Sequence, residues 1–167
     1  MTFSCIYRTP DAFDDIVVES DGEALTGLRF AGVHCREMHD AGADACRLHV
    51  LCETFRWLDM YFGGKQPSFV PLYRLAGATP FRAEVSREML KIPYGATTTY
   101  GEIAVKIARR HGMARMSAQA VGQAVGWNPV CIVIPCHRVM GAHGAITGYG
   151  GGIRNKAALL ALEANSN

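Results

Sequence analysis

Residues 81–167 contain no aspartate, and only four glutamates face ten lysines and arginines there. Residues 1–80 reverse the balance, with eleven acidic side chains against seven basic ones. The asymmetry predicts an acidic first part and a basic second part suited to a polyanion. No apolar run approaches the ~18 residues a membrane helix needs, so no membrane span is expected. The start of the chain lacks a basic stretch followed by an apolar core, so no secretory export is expected. A cytoplasmic location follows, nucleoid-associated if the source is bacterial, and the six cysteines are expected as free thiols. There is no C-x2-C pair. His34, Cys35, His39, Cys46, His49 and Cys52 lie near one another in sequence, but their spacing fits no zinc pattern and no metal is assigned.

What is present reads as an α/β part followed by a mainly α part. Phe3–Tyr7, Ile16–Glu19 and Leu25–Phe30 are expected strands, with Asp21-Gly22 as a hairpin signal. Helical spacing of Leu48, Leu51, Cys52, Phe55, Leu58 and Phe62 predicts a helix over 43–62, stopped by Gly63-Gly64. Three prolines mark residues 63–80 as an extended linker. The second part is expected to hold a helix over 81–90 and another from Tyr100 to about His111, capped by Thr97–Thr99. A third covers 118–125, with Ser117 as its cap, and a last one covers 156–164. The pair around Gly112 is a helix-turn-helix candidate, with Lys106, Arg109, Arg110 and Arg115 near its turn. Its second helix is built from small residues: Ser117, Ala118, Ala120, Gly122 and Ala124. Such residues permit close packing in a core. They also strip a helix of ordinary ~10–12 Å width toward a form that could approach a ~6 Å minor groove.

The chain converges on Asn128-Pro129-Val130-Cys131-Ile132-Val133-Ile134-Pro135-Cys136-His137-Arg138-Val139. Its β-branched run predicts a buried strand over 130–134, ended by Pro135. A thiol, Cys136, is then presented beside an imidazole and a guanidinium, either of which can lower a thiol pKa from its ordinary ~8.5. The other five cysteines read as packing. The run IPCHRV, with Asn128-Pro129 before it and TGYGGG (147–152) after it, resembles the active-site segment of the O6-alkylguanine-DNA alkyltransferases, also called methylated-DNA–protein-cysteine methyltransferases.

That resemblance implies a ribonuclease-H-like α/β domain over 1–80, with a small antiparallel sheet and a helix. A winged-helix-like, mainly α domain with the helix-turn-helix would occupy 81–167. It implies a single-turnover enzyme that moves an alkyl group from O6-alkylguanine, and possibly O4-alkylthymine, in double-stranded DNA to Cys136, after flipping the base. No cofactor and no more than a monomer are implied. By likeness His137 takes the thiol proton through a water, Glu163 orients His137, Asn128 braces the turn, and Tyr100 donates to the guanine ring. The Cys136 and Val139 carbonyls would accept the guanine amino group. Gly150 N–H would meet O6, with Tyr149 and Gly151 beside it. Ser117, Ala118, Gln119, Ala120, Gly122 and Arg115 would meet DNA. Gln119 stands where many relatives carry an arginine, and Gly150 where some carry a hydroxyl. Two other readings compete on the residues alone: a non-catalytic binder of alkylated DNA, and a thiol sensor or cysteine hydrolase.

Overall fold

The computed structural model describes residues 2–32 and 48–166. Three strands, β1 (Phe3–Tyr7), β2 (Ile16–Ser20) and β3 (Leu25–Phe30), form an antiparallel sheet in that order. Register is set by apolar pairs such as Cys5 opposite Val18 and Val18 opposite Leu28, which put Cys5, Val18 and Leu28 in the core. The β2–β3 turn closes on the Asp21 carboxylate, which accepts the Glu23 and Ala24 amides, while Gly22 takes a positive φ of 104°.

Helix α1 (His49–Phe62) covers the sheet. Its buried stripe is Val50, Leu51, Thr54, Trp57, Leu58 and Tyr61. That stripe is rotated from the expected one, and Cys52 is exposed, because Trp57 and Tyr61 carry more surface to bury than Phe62 and Cys52. Residues 43–47 of the expected helix lie outside the described residues. So do four of the six candidate metal ligands: His34, Cys35, His39 and Cys46. Cys5 is disulfide-bonded, which corrects the expectation of free thiols there; spacing in sequence does not reveal which sulfurs meet across a fold.

The 63–80 segment is extended, as expected, but it is not loose. Leu25 N–H donates to the Leu72 carbonyl and Arg74 N–H to the Leu25 carbonyl, each at 2.8 Å, so the segment lies along the edge of β3. Arg74 also pairs with Asp21 and with Glu23. Three residues further along β3, Leu28 N–H donates to the Pro129 carbonyl and the Leu28 carbonyl accepts from Cys131 N–H. One strand therefore anchors both the connecting segment and the turn that precedes Cys136.

Helix α2 (Pro80–Leu90) begins with proline at its first position, where no amide partner is lost, under a Thr79 cap. Strand β4 (Thr98–Thr99) runs straight into α3 (Tyr100–Arg110), where Thr99 and Glu102 form a capping box. Helix α4 (Ala118–Gly126) is capped by Ser117, buries Val121, Ala124 and Val125, and packs on α3 and α2. A two-residue parallel ladder joins β4 to β5 (Val139–Met140). Helix α5 (Ile153–Asn165) begins three residues before the expected start. It buries Asn155, Lys156, Leu159 and Glu163. No helix is long and apolar enough to cross a membrane among the described residues.

Candidate active site

The expected strand over 130–134 is a tight turn instead. Ile134 N–H closes back on the Val130 carbonyl at 3.1 Å, and Ile132 sits at φ +69°. A β-branched residue in that region is strained, and such strain persists only where the surroundings over-determine it. Asn128 supplies much of that determination. Its side-chain oxygen accepts from Val130 N–H at 3.1 Å, and its amide donates to the Ile134 carbonyl at 2.9 Å. The same amide donates to Cys136 Sγ at 3.1 Å. Periodicity sees the apolar run but not the asparagine that folds it on itself.

Cys136 opens a single 3-10 turn, Cys136–Arg138, and is 4% exposed. Its thiol pKa is lowered. The leading cause is the neighbouring Cys131 thiol, opposed by burial and reinforced by Asn128 and Tyr149. His137 and Arg138, the expected activators, face elsewhere. His137 is fully buried and holds Glu163 through Nε2 at 2.7 Å, while Nδ1 has no hydrogen-bond partner among the described residues. Burial lowers the His137 pKa more than Glu163 raises it. The imidazole is thus neutral, and the Nε2–H bond to a carboxylate leaves Nδ1 as a base.

Glu163 is 1% exposed, against the ordinary expectation of a solvated glutamate. Burial raises its pKa, but bonds from His137, Arg138 and Tyr61 outweigh that and hold it well below the usual carboxylate range. Arg138 grips it bidentately, at 2.9 Å through each nitrogen. Tyr61 of α1 donates at 2.7 Å and Gly95 N–H at 3.0 Å. The carboxylate is therefore a fixed ionised orienter for His137.

A cavity of about 790 Å³ lies outside this layer. One wall is the exposed face of α4, with Ala118, Gln119, Gly122 and Gly126; the other is Thr147–Gly150, with Tyr100 between. Tyr149 belongs to both layers. Its ring lines the cavity, and its hydroxyl is buried close to Cys136. A Cβ on Gly151 would lie 2.6 Å from both the Phe30 and Tyr149 rings, so glycine there lets Tyr149 lie against the backbone. The Tyr100 hydroxyl donates to the Thr147 carbonyl at 3.3 Å, and burial raises its pKa, so it keeps its proton. Arg115, Ser117 and Gln119 are exposed, and Ala120 is half-buried.

The Val139 carbonyl is partly committed. Lys156 Nζ donates to it at 2.6 Å and to the Thr147 carbonyl at 3.2 Å, leaving Val139 one lone pair. Lys156, Tyr61 and Cys131 were not expected in the site. Lys156 and Tyr61 sit on helix faces that sequence reads as ordinary, and Cys131 reads as packing.

The family model "6-O-methylguanine DNA methyltransferase, DNA binding domain" matches residues 80–165. A curated relative from Mycobacterium bovis, a methylated-DNA–protein-cysteine methyltransferase, is 50% identical over 164 residues, covering 94% of this chain and 91% of the relative. The crystal structure of Mycobacterium tuberculosis O6-methylguanine methyltransferase superposes with a TM-score of 0.80 at 35% identity, covering 100% of this chain and 95% of that one. A structure of the Mycobacterium tuberculosis protein OGT in complex with DNA gives 0.77 at 34% identity, covering 99% and 93%.

Proposed function

The chain belongs to the O6-methylguanine DNA methyltransferase family, and from that premise we propose how its own residues repair alkylated DNA. The protein is a methylated-DNA–protein-cysteine methyltransferase that acts on double-stranded DNA carrying O6-alkylguanine. The observation that carries the site assignment is the pairing of two layers: a cavity walled by small residues, and behind Tyr149 a cysteine whose thiol is acidified.

In the resting site the Cys136 proton passes to His137 Nδ1 through a water, and Glu163 balances the imidazolium that forms. The thiolate attacks the alkyl carbon; the carbon–O6 bond breaks and its electrons go to the purine. Tyr100, a neutral phenol, donates to the ring as that charge develops. The Gly150 amide meets O6, and the Cys136 carbonyl with the free lone pair of Val139 accepts the amino group. Asn128 steadies the sulfur throughout. A thioether is the product, and no nearby group can displace the alkyl carbon from it, so each molecule acts once. No cofactor enters the scheme.

The target base is reached by flipping, at a cost of a few kcal/mol. Helix α4 approaches the minor groove with Ala118 and Gly122, while Gln119 hydrogen-bonds the orphaned partner base. Gln119 lacks the charge and planar fork of arginine, so its assistance is weaker. Gly150, with no side chain, leaves room for bulkier alkyl groups. In the same reading residues 1–80 are a ribonuclease-H-like support and residues 81–167 a winged-helix-like unit, both acting as a monomer in the cytoplasm.

Incubation with duplex containing O6-methylguanine, followed by peptide mapping, should place one methyl on Cys136. DNA binding without that adduct would contradict the proposal.

A further inference from the structure

We propose that Cys131 is a positioning residue for alkyl transfer, its thiol donating a hydrogen bond to the Cys136 thiolate. The proposal rests on Cys136 being the acceptor. Both sulfurs are nearly sealed, at 6% and 4% exposure, and both are held by one residue. Cys131 Sγ lies 3.8 Å from the Asn128 carbonyl, and Cys136 Sγ lies 3.1 Å from the Asn128 amide nitrogen. The strained turn at Ile132 doubles the chain back so that residues five apart share this contact. Were 130–134 a strand, the two thiols would be far apart.

A thiol has one proton to give. While Cys136 is a thiol, the Cys131 proton can rest on the Asn128 carbonyl. Once Cys136 is ionised its sulfur is the stronger acceptor, and the bond there counts as charge-assisted. After alkylation a thioether accepts poorly, and the proton returns to the carbonyl. The interaction is therefore specific to the reactive state. Its electrostatic mark is a divergence of the pair: Cys136 is shifted down and Cys131 strongly up.

Other groups face the pair. Tyr149 and Tyr100 are phenols whose burial keeps them protonated. Lys156 from α5 favours the Cys136 thiolate by charge, and Arg29 from β3 does the same for Cys131. His137, with Glu163 and Arg138, takes the proton. None of these is removed by shortening Cys131, so a Cys131→Ala variant isolates the thiol's own effect.

A donor to a thiolate has a signature that packing lacks. It raises the thiolate fraction but lowers the nucleophilicity of each thiolate. With a Brønsted coefficient of ~0.4–0.5, each tenfold gain in acidity yields only about a threefold faster reaction below the thiol pKa, and a slower one above it. The test measures the alkylation rate of residue 136 from about pH 6 to pH 10, across the ordinary thiol range. Iodoacetamide and an O6-methylguanine duplex serve as parallel reagents, and adducts are located by peptide mapping. Cys131→Ala should move the inflection upward, react about threefold or more slowly at neutral pH, and meet or overtake the wild type at high pH. Cys131→Ser, which keeps a donor, should stay near the wild type.

An unchanged inflection in Cys131→Ala, whatever its rate, would overturn the proposal, as would Cys131→Ser shifting as far as Cys131→Ala. If the alanine variant does not fold by thermal melting, Cys131→Val against Cys131→Ser gives the same comparison. A duplex that leaves wild-type Cys136 unmethylated would overturn the acceptor reading instead; the iodoacetamide profile would still record separately whether the thiol pair exists.

Discussion

Glu163 collects five hydrogen bonds, from Arg138 twice, Tyr61, His137 and Gly95, in a place with almost no water. Such a carboxylate is stable only as a complete set. In Glu163→Gln the Arg138 charge, on a side chain only 11% exposed, loses its counter-ion. Removing one partner of a buried pair costs about 3–5 kcal/mol, so urea unfolding of this variant should show a loss in that range. The amide also no longer balances an imidazolium, so methyl transfer to Cys136 should slow even at temperatures where the variant stays folded. Equal stability would mean that Arg138 finds another partner.

At the scale of elements, α4 carries two opposed faces. Val121, Ala124 and Val125 are buried, whereas Ala118 and Gly122 line the cavity. A Cβ built on Gly122 would lie 3.7 Å from the Tyr100 ring, an ordinary contact. Gly122→Ala should therefore stabilise the protein by up to ~1 kcal/mol through helix propensity. It should also weaken duplex binding, because it thickens the face offered to the groove. A gain in thermal stability with unchanged DNA affinity would place the groove contact elsewhere. On the same helix Gln119→Arg should tighten duplex binding or speed methyl transfer, measured by titration and by single-turnover kinetics. If Gln119→Ala matches the wild type in both, the glutamine side chain has no part in flipping.

At the scale of the molecule, the site is tied to both halves of the chain. Tyr61 reaches Glu163 from α1, and β3 holds the turn that carries Cys131. Protonating this cluster therefore bears on global stability. Burial keeps His137 neutral, with a native pKa below its ordinary ~6.5, so the unfolded chain binds that proton first. The stability this provides is whole above about pH 6.5 and declines as pH falls below it. Glu163, also depressed, adds a second loss that begins below about pH 4.5. The melting temperature should fall through both windows, and His137→Gln should flatten the upper one. Parallel curves for the two proteins would show that His137 titrates alike folded and unfolded.

Much of this was legible beforehand. Strands β1 to β3 follow from short apolar stretches on either side of turn residues, with Asp21-Gly22 as the hairpin signal. The helix starts at Thr99 and Ser117 follow from side chains that satisfy a free amide wherever they fall. Asn128 and Cys136 stand in one short run, and their side chains meet at 3.1 Å in the structure. All of these are local properties, settled by neighbours a few positions away. Tertiary structure alone decided the rest: that 130–134 turns back instead of extending, that Arg138 serves Glu163 and not the sulfur, that Cys131 and Cys136 both meet Asn128, and that Tyr61 and Lys156 enter the site at all. Each of those depends on which backbone amides and charges are brought together from distant parts of the chain once water is excluded. Contact in a sealed interior is a property of the packed molecule, and no window of sequence contains it.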